Sequence, residues 1–294
     1  QRVQQRRGVH RRQSHRPPPF DRQVFVGLVT PVGAVLLGRQ YTPGYEMFYL
    51  YDAMETESSL SAAQIATLPP AIDIRRDNAV AYRIQTHGFT ATLGTAFGEQ
   101  PGSNSNGRYL GANFYYTADT WSAGIAYATN NNREGEKALR NVLVGGHAKI
   151  GPGKLSVLVA TAKDDNPDAL IDIRAALLPL GASGVVIGNA FEAELHQDSR
   201  IYHVGYRVRS GPHTVTVAYS HLNDREHDEA DIASYGLVYS YALSKRTDIN
   251  FVLTRFDNDS NAQAAPGGQG FFGGVTSRAG DDARNVALAV RHRF

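Results

Sequence analysis

The sequence predicts an all-β protein, a transmembrane antiparallel β-barrel with about thirteen strands in residues 20–294. Three observations lead to this fold class. Apolar residues alternate with small or polar residues at a period of two along most of the chain, which is the pattern of β-strands. The connections between these segments alternate between short and long. One face of each segment is also too small and polar to fill a dry core.

Thirteen segments show the alternation. In one of them, Tyr235, Leu237 and Tyr239 share a face, and the residues between them occupy the other. Most segments have about the 9–11 residues with which a tilted strand crosses a bilayer. They lie near 22–30, 33–42, 77–86, 88–97, 108–118, 120–129, 139–150, 153–163, 199–209, 212–222, 232–243, 246–256 and 284–294.

The lengths of the connections between segments are the strongest indication of a transmembrane barrel. Short connections fall at 31–32, 87–88, 119–120, 151–153, 211–212 and 244–245, and long ones lie near 43–76, 98–107, 130–138, 164–198, 223–231 and 257–283. A soluble β-sandwich also alternates, and it remains the alternative fold, but it has no reason to collect all its long loops at one end. An outer-membrane barrel has tight turns on the periplasmic side and long loops outside.

Composition excludes several other classes of protein. The longest apolar runs, Val24–Val29 and Leu155–Ala162, are far shorter than the roughly 20 residues of a transmembrane helix. Because the chain has no cysteine, thiol catalysis and cysteine-bound zinc are excluded. The ten histidines show no metal-ligand spacing. We therefore expect no metal and no cofactor.

Residues 1–19 differ from the rest of the chain. They contain six arginines and no acid, so removing them leaves 24 basic (30 − 6) and 28 acidic residues, a net charge of −4. The body of the protein therefore predicts no nucleic-acid surface. The segment has no apolar stretch like that of a signal peptide. We interpret it as an aberrant product of a frameshift or misplaced start. A disordered basic tail, or a signal peptide removed before residue 1, are the alternatives.

Three stretches resemble the general porins of beta-proteobacteria. They are Arg22–Leu28 (RQVFVGL), Gly33–Pro43 (GAVLLGRQYTP) and Ala283–Phe294 (ARNVALAVRHRF), the last with its terminal aromatic residue. The resemblance implies a sixteen-stranded barrel, a homotrimer, and a third loop, here 43–76, folded into the lumen. With thirteen strands visible, the three missing ones would precede residue 22. An odd number of antiparallel strands cannot close, so we expect this chain to leave a gap.

The charged residues that line the narrowest section of such a channel set its selectivity, because they act there at short range. The candidates are five acids (Glu46, Asp52, Glu55, Glu57 and Asp73) and five arginines (Arg39, Arg75, Arg76, Arg83 and Arg207). By strand parity, the wall residues His203, Arg209, Arg291 and Arg293 also point inward. Arg39 shares the parity of the lipid-facing Val35 and Leu37, so it joins the set only if a bulge at Gly38 turns it.

These residues and the resemblance predict a general diffusion porin of the Gram-negative outer membrane. We expect it to pass ions and small hydrophilic solutes with a weak anion preference, as a homotrimer in contact with lipid and lipopolysaccharide. A substrate-specific channel is the alternative, because Tyr45, Tyr49 and Tyr51 could form an aromatic slide. A barrel enzyme is less favoured, because Ser220 and His221 are adjacent in a strand and point to opposite faces. No better serine–histidine pairing is apparent in the sequence.

Overall fold

The computed structural model of the chain describes residues 22–66, 74–187, 196–269 and 272–293. Its main element is a thirteen-stranded antiparallel sheet in which each strand pairs with the next. The strands of the structure are β1 (Val24–Thr30), β2 (Gly33–Tyr41), β3 (Arg75–Thr86), β4 (Phe89–Ala96), β5 (Tyr109–Thr117), β6 (Trp121–Asn131), β7 (Lys137–Ile150), β8 (Gly153–Asp164), β9 (Gln197–Ser210), β10 (His213–Asp224), β11 (Ile232–Ala242), β12 (Thr247–Asn258), β13 (Ala264–Gln269), β14 (Phe272–Val275) and β15 (Ala283–His292).

The predicted all-β class and the thirteen wall strands are confirmed. Several strands extend further toward the long loops than the alternation predicts: β7 begins at Lys137 and β9 at Gln197, each two residues early. Toward this end some inward side chains, such as Leu139 and Ile201, are also apolar, so the alternation of apolar and polar residues becomes less regular there. The hydrogen-bonded ladder nevertheless continues, for example where Leu139 of β7 pairs with Asp164 of β8.

The short turns all lie at one end of the sheet. Six connections of two to four residues join β1–β2, β3–β4, β5–β6, β7–β8, β9–β10 and β11–β12. Three of these turns contain left-handed residues: Gly151 with φ of 56°, Gly211 with 58°, and the pair His87 and Gly88 with 48° and 85°. The long connections lie at the other end, so the alternation in loop length corresponds to two different ends of the barrel.

The two faces of the sheet differ in chemistry. Val217, Leu237 and Leu253 lie side by side on the outer face of β10, β11 and β12. The inner face carries small polar residues, such as the buried Thr216 and Ser234. An apolar exterior and a polar interior suit a wall that separates hydrocarbon from water.

The helices lie in the long connections. They include α1 (Pro43–Tyr51), α2 (Ala63–Ala66) and α3 (Asp168–Leu177), the last followed by a 3₁₀ turn at Leu178–Leu180 and by further helical residues at 182–187. Among the described residues no helix is long and apolar enough to span a bilayer. The connection 257–283, predicted as a loop, contains the hairpin β13–β14. Its strands are short and glycine-rich, so they have no alternation by which the sequence could reveal them.

Strands β1 and β15 are the two ends of the sheet. Across the described residues they are not paired with each other, which agrees with the gap expected of an odd strand number. Their side chains are correspondingly open: Val29 is 79% exposed and Leu288 is 76% exposed.

Candidate constriction

The connection between β2 and β3 is described over residues 42–66, and this segment folds onto the inner face of the sheet; we call residues 42–66 the inner loop. It begins with α1, whose N-terminus is specified by the sequence. The Thr42 hydroxyl accepts a hydrogen bond from the Tyr45 N–H at 3.1 Å, and Pro43 occupies the first helical position. Glu46 lies in the first turn, where the helix dipole favours an acid. Thr42 and Pro43 in sequence are typical of a helix start, but the prediction searched for the alternation of strands and did not use them.

Helix α1 is held by its apolar side chains. Met47, Phe48 and Tyr51 are almost completely buried and form one cluster with inward side chains of the wall. The Tyr51 hydroxyl shares a hydrogen bond with Ser122 of β6 at 3.0 Å. Burial raises the pKa of the Tyr51 hydroxyl, so the group stays neutral.

Inward glycines make room for the inner loop. A side chain at Gly145 of β7 would overlap the Tyr51 ring, and one at Gly205 of β9 would overlap Ala53. Gly124 of β6 lies in the same way beneath Met47. Because these strands have no Cβ at the contact, the loop backbone approaches the wall closely.

The segment after α1 is organised by one buried carboxylate. Asp52 has no exposed surface, and it accepts hydrogen bonds from the Met54 N–H at 2.9 Å, the Thr56 N–H at 3.1 Å and the Ser61 hydroxyl. Glu55 and Thr56 adopt positive φ angles of 53° and 58°. The carboxylate thus compensates for a backbone conformation that L-residues rarely adopt.

The other acids of the inner loop contact bases of the wall directly. Glu46 lies 2.7 Å from Arg83 of β3, and it also accepts from Asn113 and Tyr115 of β5. Glu55 lies 2.7 Å from Arg207 of β9. Contact pairs of this kind neutralise the loop acids and anchor the loop, instead of opposing the wall charges across open water.

A third pair joins Glu57 of the inner loop to Arg291 of β15. Glu55 also lies 3.6 Å from Lys154 of β8, and Asp248 of β12 lies 3.2 Å from Arg291 and 3.5 Å from Arg293. The loop therefore contacts strands from β3 to β15, the last strand of the sheet, which shows that the wall curves around it.

Bases outnumber acids in this region. Lys149 pairs in register with Lys154, and Lys154 with Arg207, so all three share the inner face. Arg209 lies on the same face of β9 and donates to Thr214 at 3.4 Å. We call the following group the wall cluster: the bases Lys149, Lys154, Arg207, Arg209, Arg291 and Arg293 with the acids Glu55, Glu57 and Asp248. Lys149, Lys154 and Asp248 were missed from the sequence, although strand parity would have placed them inside.

His203 connects the loop to the wall. Its Nε2 accepts the Ala53 N–H at 3.0 Å and lies 3.5 Å from Asp52, while its Nδ1 lies 2.8 Å from the Ser220 hydroxyl. Ser220 therefore does have a histidine partner, contrary to the sequence analysis. The partner is on the neighbouring strand, where Ser220 and His203 are in register. A search for serine–histidine pairs near in sequence could not find it.

Three further predicted residues, Arg39, Arg75 and Arg76, lie toward the long-loop end. Arg39 pairs with Asp77 at 2.7 Å. The register between β2 and β3 is irregular near Gly38, where Gly38 pairs with Ala79 and Gln40 with Arg76, so the additional residue is on β3. The irregularity therefore does not turn Arg39, which stays on the outer face of β2 with Val35 and Leu37. Asp73 lies outside the described residues.

Arg75 and Arg76 stack on aromatic rings at this end. The Arg75 guanidinium lies 4.8 Å from the centre of the Tyr41 ring, and that of Arg76 lies 5.1 Å from the centre of the Tyr109 ring. Both arginines line a cleft of about 270 Å³ between the long loops, with Glu99 and Arg133 on its other side.

This geometry defines a channel: an antiparallel wall, apolar outside and polar inside, narrowed by a loop folded against its inner face. A family model described as "Gram-negative porin" matches residues 11–261 of the chain. The chain belongs to this family. It is a passive diffusion channel of the Gram-negative outer membrane, and the predicted family, function and location are confirmed.

Solved structures agree with the fold. The anion-selective porin of Comamonas acidovorans superposes with a TM-score of 0.72 at 22% identity, covering 93% of this chain and 78% of that one. OmpT of Vibrio cholerae in its trimer form gives 0.56 at 14% identity, covering 91% and 79%. OmpF of Salmonella typhi in complex with daunomycin gives 0.56 at 13%, covering 92% and 77%. A search of curated protein sequences found no significant match.

Proposed function

We propose that this channel passes anions in preference to cations. The observation that carries the proposal is the composition of the wall cluster, in which six bases face three acids. Uncompensated positive charge on the wall of a narrow aqueous passage raises the local concentration of anions. The resulting preference is weak, because salt screens these partly exposed charges.

The acids of the inner loop do not reverse this balance. Glu46, Glu55 and Glu57 each have a base within ion-pair distance, and Asp52 is buried among hydrogen-bond donors. A charge that is already paired contributes little to the field along the pore. The inner loop therefore narrows the passage, and the surplus of positive charge on the wall makes the channel prefer anions.

The test compares two arginines of β9 that lie on opposite faces. Arg209 is on the inner face, whereas Arg200 has the parity of the outer face and pairs in register with Asn223. We expect the refolded wild-type channel to show a reversal potential of anion preference in a potassium chloride gradient. Arg209→Gln should lower the anion-to-cation permeability ratio about two-fold, as expected for one charge a few ångströms from the permeating ion.

Arg200→Gln is the matched control and should leave the ratio unchanged. A cation preference of the wild type, or equal effects of the two variants, would refute the proposal.

The structure supports a general rather than a substrate-specific channel. Two of the three loop tyrosines cannot form an aromatic slide, because Tyr45 and Tyr51 are buried and their hydroxyls bond Thr56 and Ser122. Of the three tyrosines only Tyr49 is exposed, at 44%, and one ring does not make a row of aromatic side chains. We expect conductance to rise in proportion to salt concentration, whereas saturation at low salt would indicate a binding site.

We also propose that the protein has no hydrolase activity. The arrangement of Ser220, His203 and Asp52 has the residue types of a catalytic triad but the wrong proton placement. Nε2 of His203 accepts the Ala53 N–H, so the proton is on Nδ1, the nitrogen that faces Ser220. A nitrogen that carries its proton cannot take one from the serine. We expect no labelling of Ser220 by a fluorophosphonate probe.

Three copies of the chain and a surrounding shell of lipid and lipopolysaccharide complete the proposed assembly. The trimer form of the structurally similar OmpT supports the first part. The outer face supports the second, since Val157, Val204 and Val217 are each more than 40% exposed there. Sedimentation of the refolded protein in detergent should give the mass of three chains.

A further inference from the structure

The contact between the inner loop and β9 depends on one buried imidazole. His203 is 4% exposed and Asp52 is not exposed at all. The Ala53 N–H donates to Nε2, and Nδ1–H donates to the Ser220 hydroxyl. Both ring nitrogens are thus engaged, one as acceptor and the other as donor, which only a neutral imidazole can do.

Few charged groups face this ring. On either side of it in the sheet lie Leu158 of β8 and Ser220 of β10, and neither carries a charge. The inner loop contributes Asp52, whose Oδ1 is 3.5 Å from Nε2. On its own strand the nearest inward base is Arg207, which is paired with Glu55 and also donates to the Ala53 carbonyl. Ala53 is therefore held at both its N–H and its carbonyl oxygen.

A proton on Nε2 would disrupt this arrangement. The new N–H would face the Ala53 N–H across 3.0 Å, so that one hydrogen bond is replaced by two opposed donors. The Asp52 Oδ1, which accepts the Met54 N–H, lies 3.5 Å from Nε2, so it would have to move closer to the ring to accept the new proton. In either case the Ala53 N–H loses its acceptor on β9, and the backbone from Asp52 to Thr56 is released from the wall toward the pore axis.

We propose that His203 is a positioning residue that holds the inner loop against β9 only while its imidazole is neutral, so that acid narrows the channel. The titration is local, because the ring contacts a single acid, and its effect reaches the pore through the loop backbone. This role is distinct from the selectivity assigned to the wall cluster, which acts through its charges on the permeating ion.

The experiment is a conductance titration of the refolded chain from about pH 8 to about pH 4, the range in which histidine titrates. The wild type should lose conductance, or close more often, over a single transition. His203→Gln should remove that transition, because a glutamine amide can accept from Ala53 and donate to Ser220 but does not titrate. His147→Gln, which replaces another inward histidine, should retain it. A transition that persists in His203→Gln, or is absent from the wild type, overturns the proposal.

A second readout does not depend on conductance. Hydrogen exchange of the Ala53 amide in detergent-folded protein, corrected for the pH dependence of intrinsic exchange, should be slow at neutral pH. It should become fast in acid in the wild type but not in His203→Gln. Asp52→Asn keeps one of the two capping oxygens and removes the negative charge beside the imidazole, so it should move the transition to lower pH. An amide that stays protected in acidified wild type also overturns the proposal.

Discussion

At the scale of single residues, the constriction consists of charges that the fold has already paired. Glu46 is surrounded by Arg83, Asn113 and Tyr115, and all three donate to it. These three donors hold the carboxylate in one position. Its electrostatic effect on the pore therefore depends on whether the neighbouring guanidinium remains.

Arg83→Gln tests this dependence. Asn113 and Tyr115 still hold Glu46 in the variant, so the loop stays in place and a net negative charge appears at the constriction. We expect the anion-to-cation permeability ratio to fall about two-fold, measured as a shift in reversal potential.

Arg39→Gln makes the same change of charge next to the exposed Asp77 and serves as the control. It should have the smaller effect, because water screens charges at the rim. Equal shifts in the two variants would mean that Arg83 is not at the narrow section.

At the scale of elements, the inner loop is fixed by small residues on the strands as much as by its own helix. Helix α1 places Met47, Phe48 and Tyr51 on one face, and the strands beneath have glycine where the contact is closest. Burying three such side chains contributes roughly 5–8 kcal/mol to keeping the loop on the wall. The loop is therefore part of the channel wall rather than a mobile flap.

Gly145→Val tests the fit between α1 and β7. The added side chain would overlap the Tyr51 ring, so α1 should move inward and single-channel conductance should fall. Val144→Leu on the outer face of the same strand enlarges a side chain that faces lipid, and it should leave conductance at the wild-type value. Circular dichroism of both variants verifies that the barrel has folded. Unchanged conductance in folded Gly145→Val would contradict the packing described here.

At the scale of the whole molecule, the outer face shows how the barrel sits in the bilayer. Phe89, Tyr116 and Trp121 contact one another at the turn end of β4, β5 and β6, with ring centres 4.6 Å and 5.2 Å apart. Amphipathic rings favour the boundary between headgroups and hydrocarbon. The short turns beside them therefore lie close to the periplasmic membrane surface.

Trp121 makes this depth measurable, because it is the single tryptophan of the sequence and is 44% exposed. Lipids brominated near the headgroup should quench its fluorescence more than lipids brominated near the end of the acyl chain. Moving the indole four residues along β6, with Trp121→Phe and Ile125→Trp on the same face, places it deeper in the bilayer and should reverse that order. The opposite order in the wild type would place the turns away from the interface.

The sequence alone determined the wall of this protein. Alternation, loop length and the small inner face are local properties: each strand must satisfy lipid on one side and water on the other, whatever its neighbours are. For that reason the strands, their faces and the channel class were predictable. The predictions became less complete where lipid no longer imposes the pattern, in the hairpin β13–β14 and in helix α1.

Only the tertiary structure decided which charges meet. Arg291 and Glu57 form an ion pair although 234 positions separate them, and Ser220 reaches His203 through the pairing of β9 with β10. Parity places a residue inside the barrel, but it does not say how far along the pore the residue lies or which loop residue lies opposite. That information resides in the register of the strands and in the close approach of the inner loop to glycines of the wall, and both exist only in the folded chain.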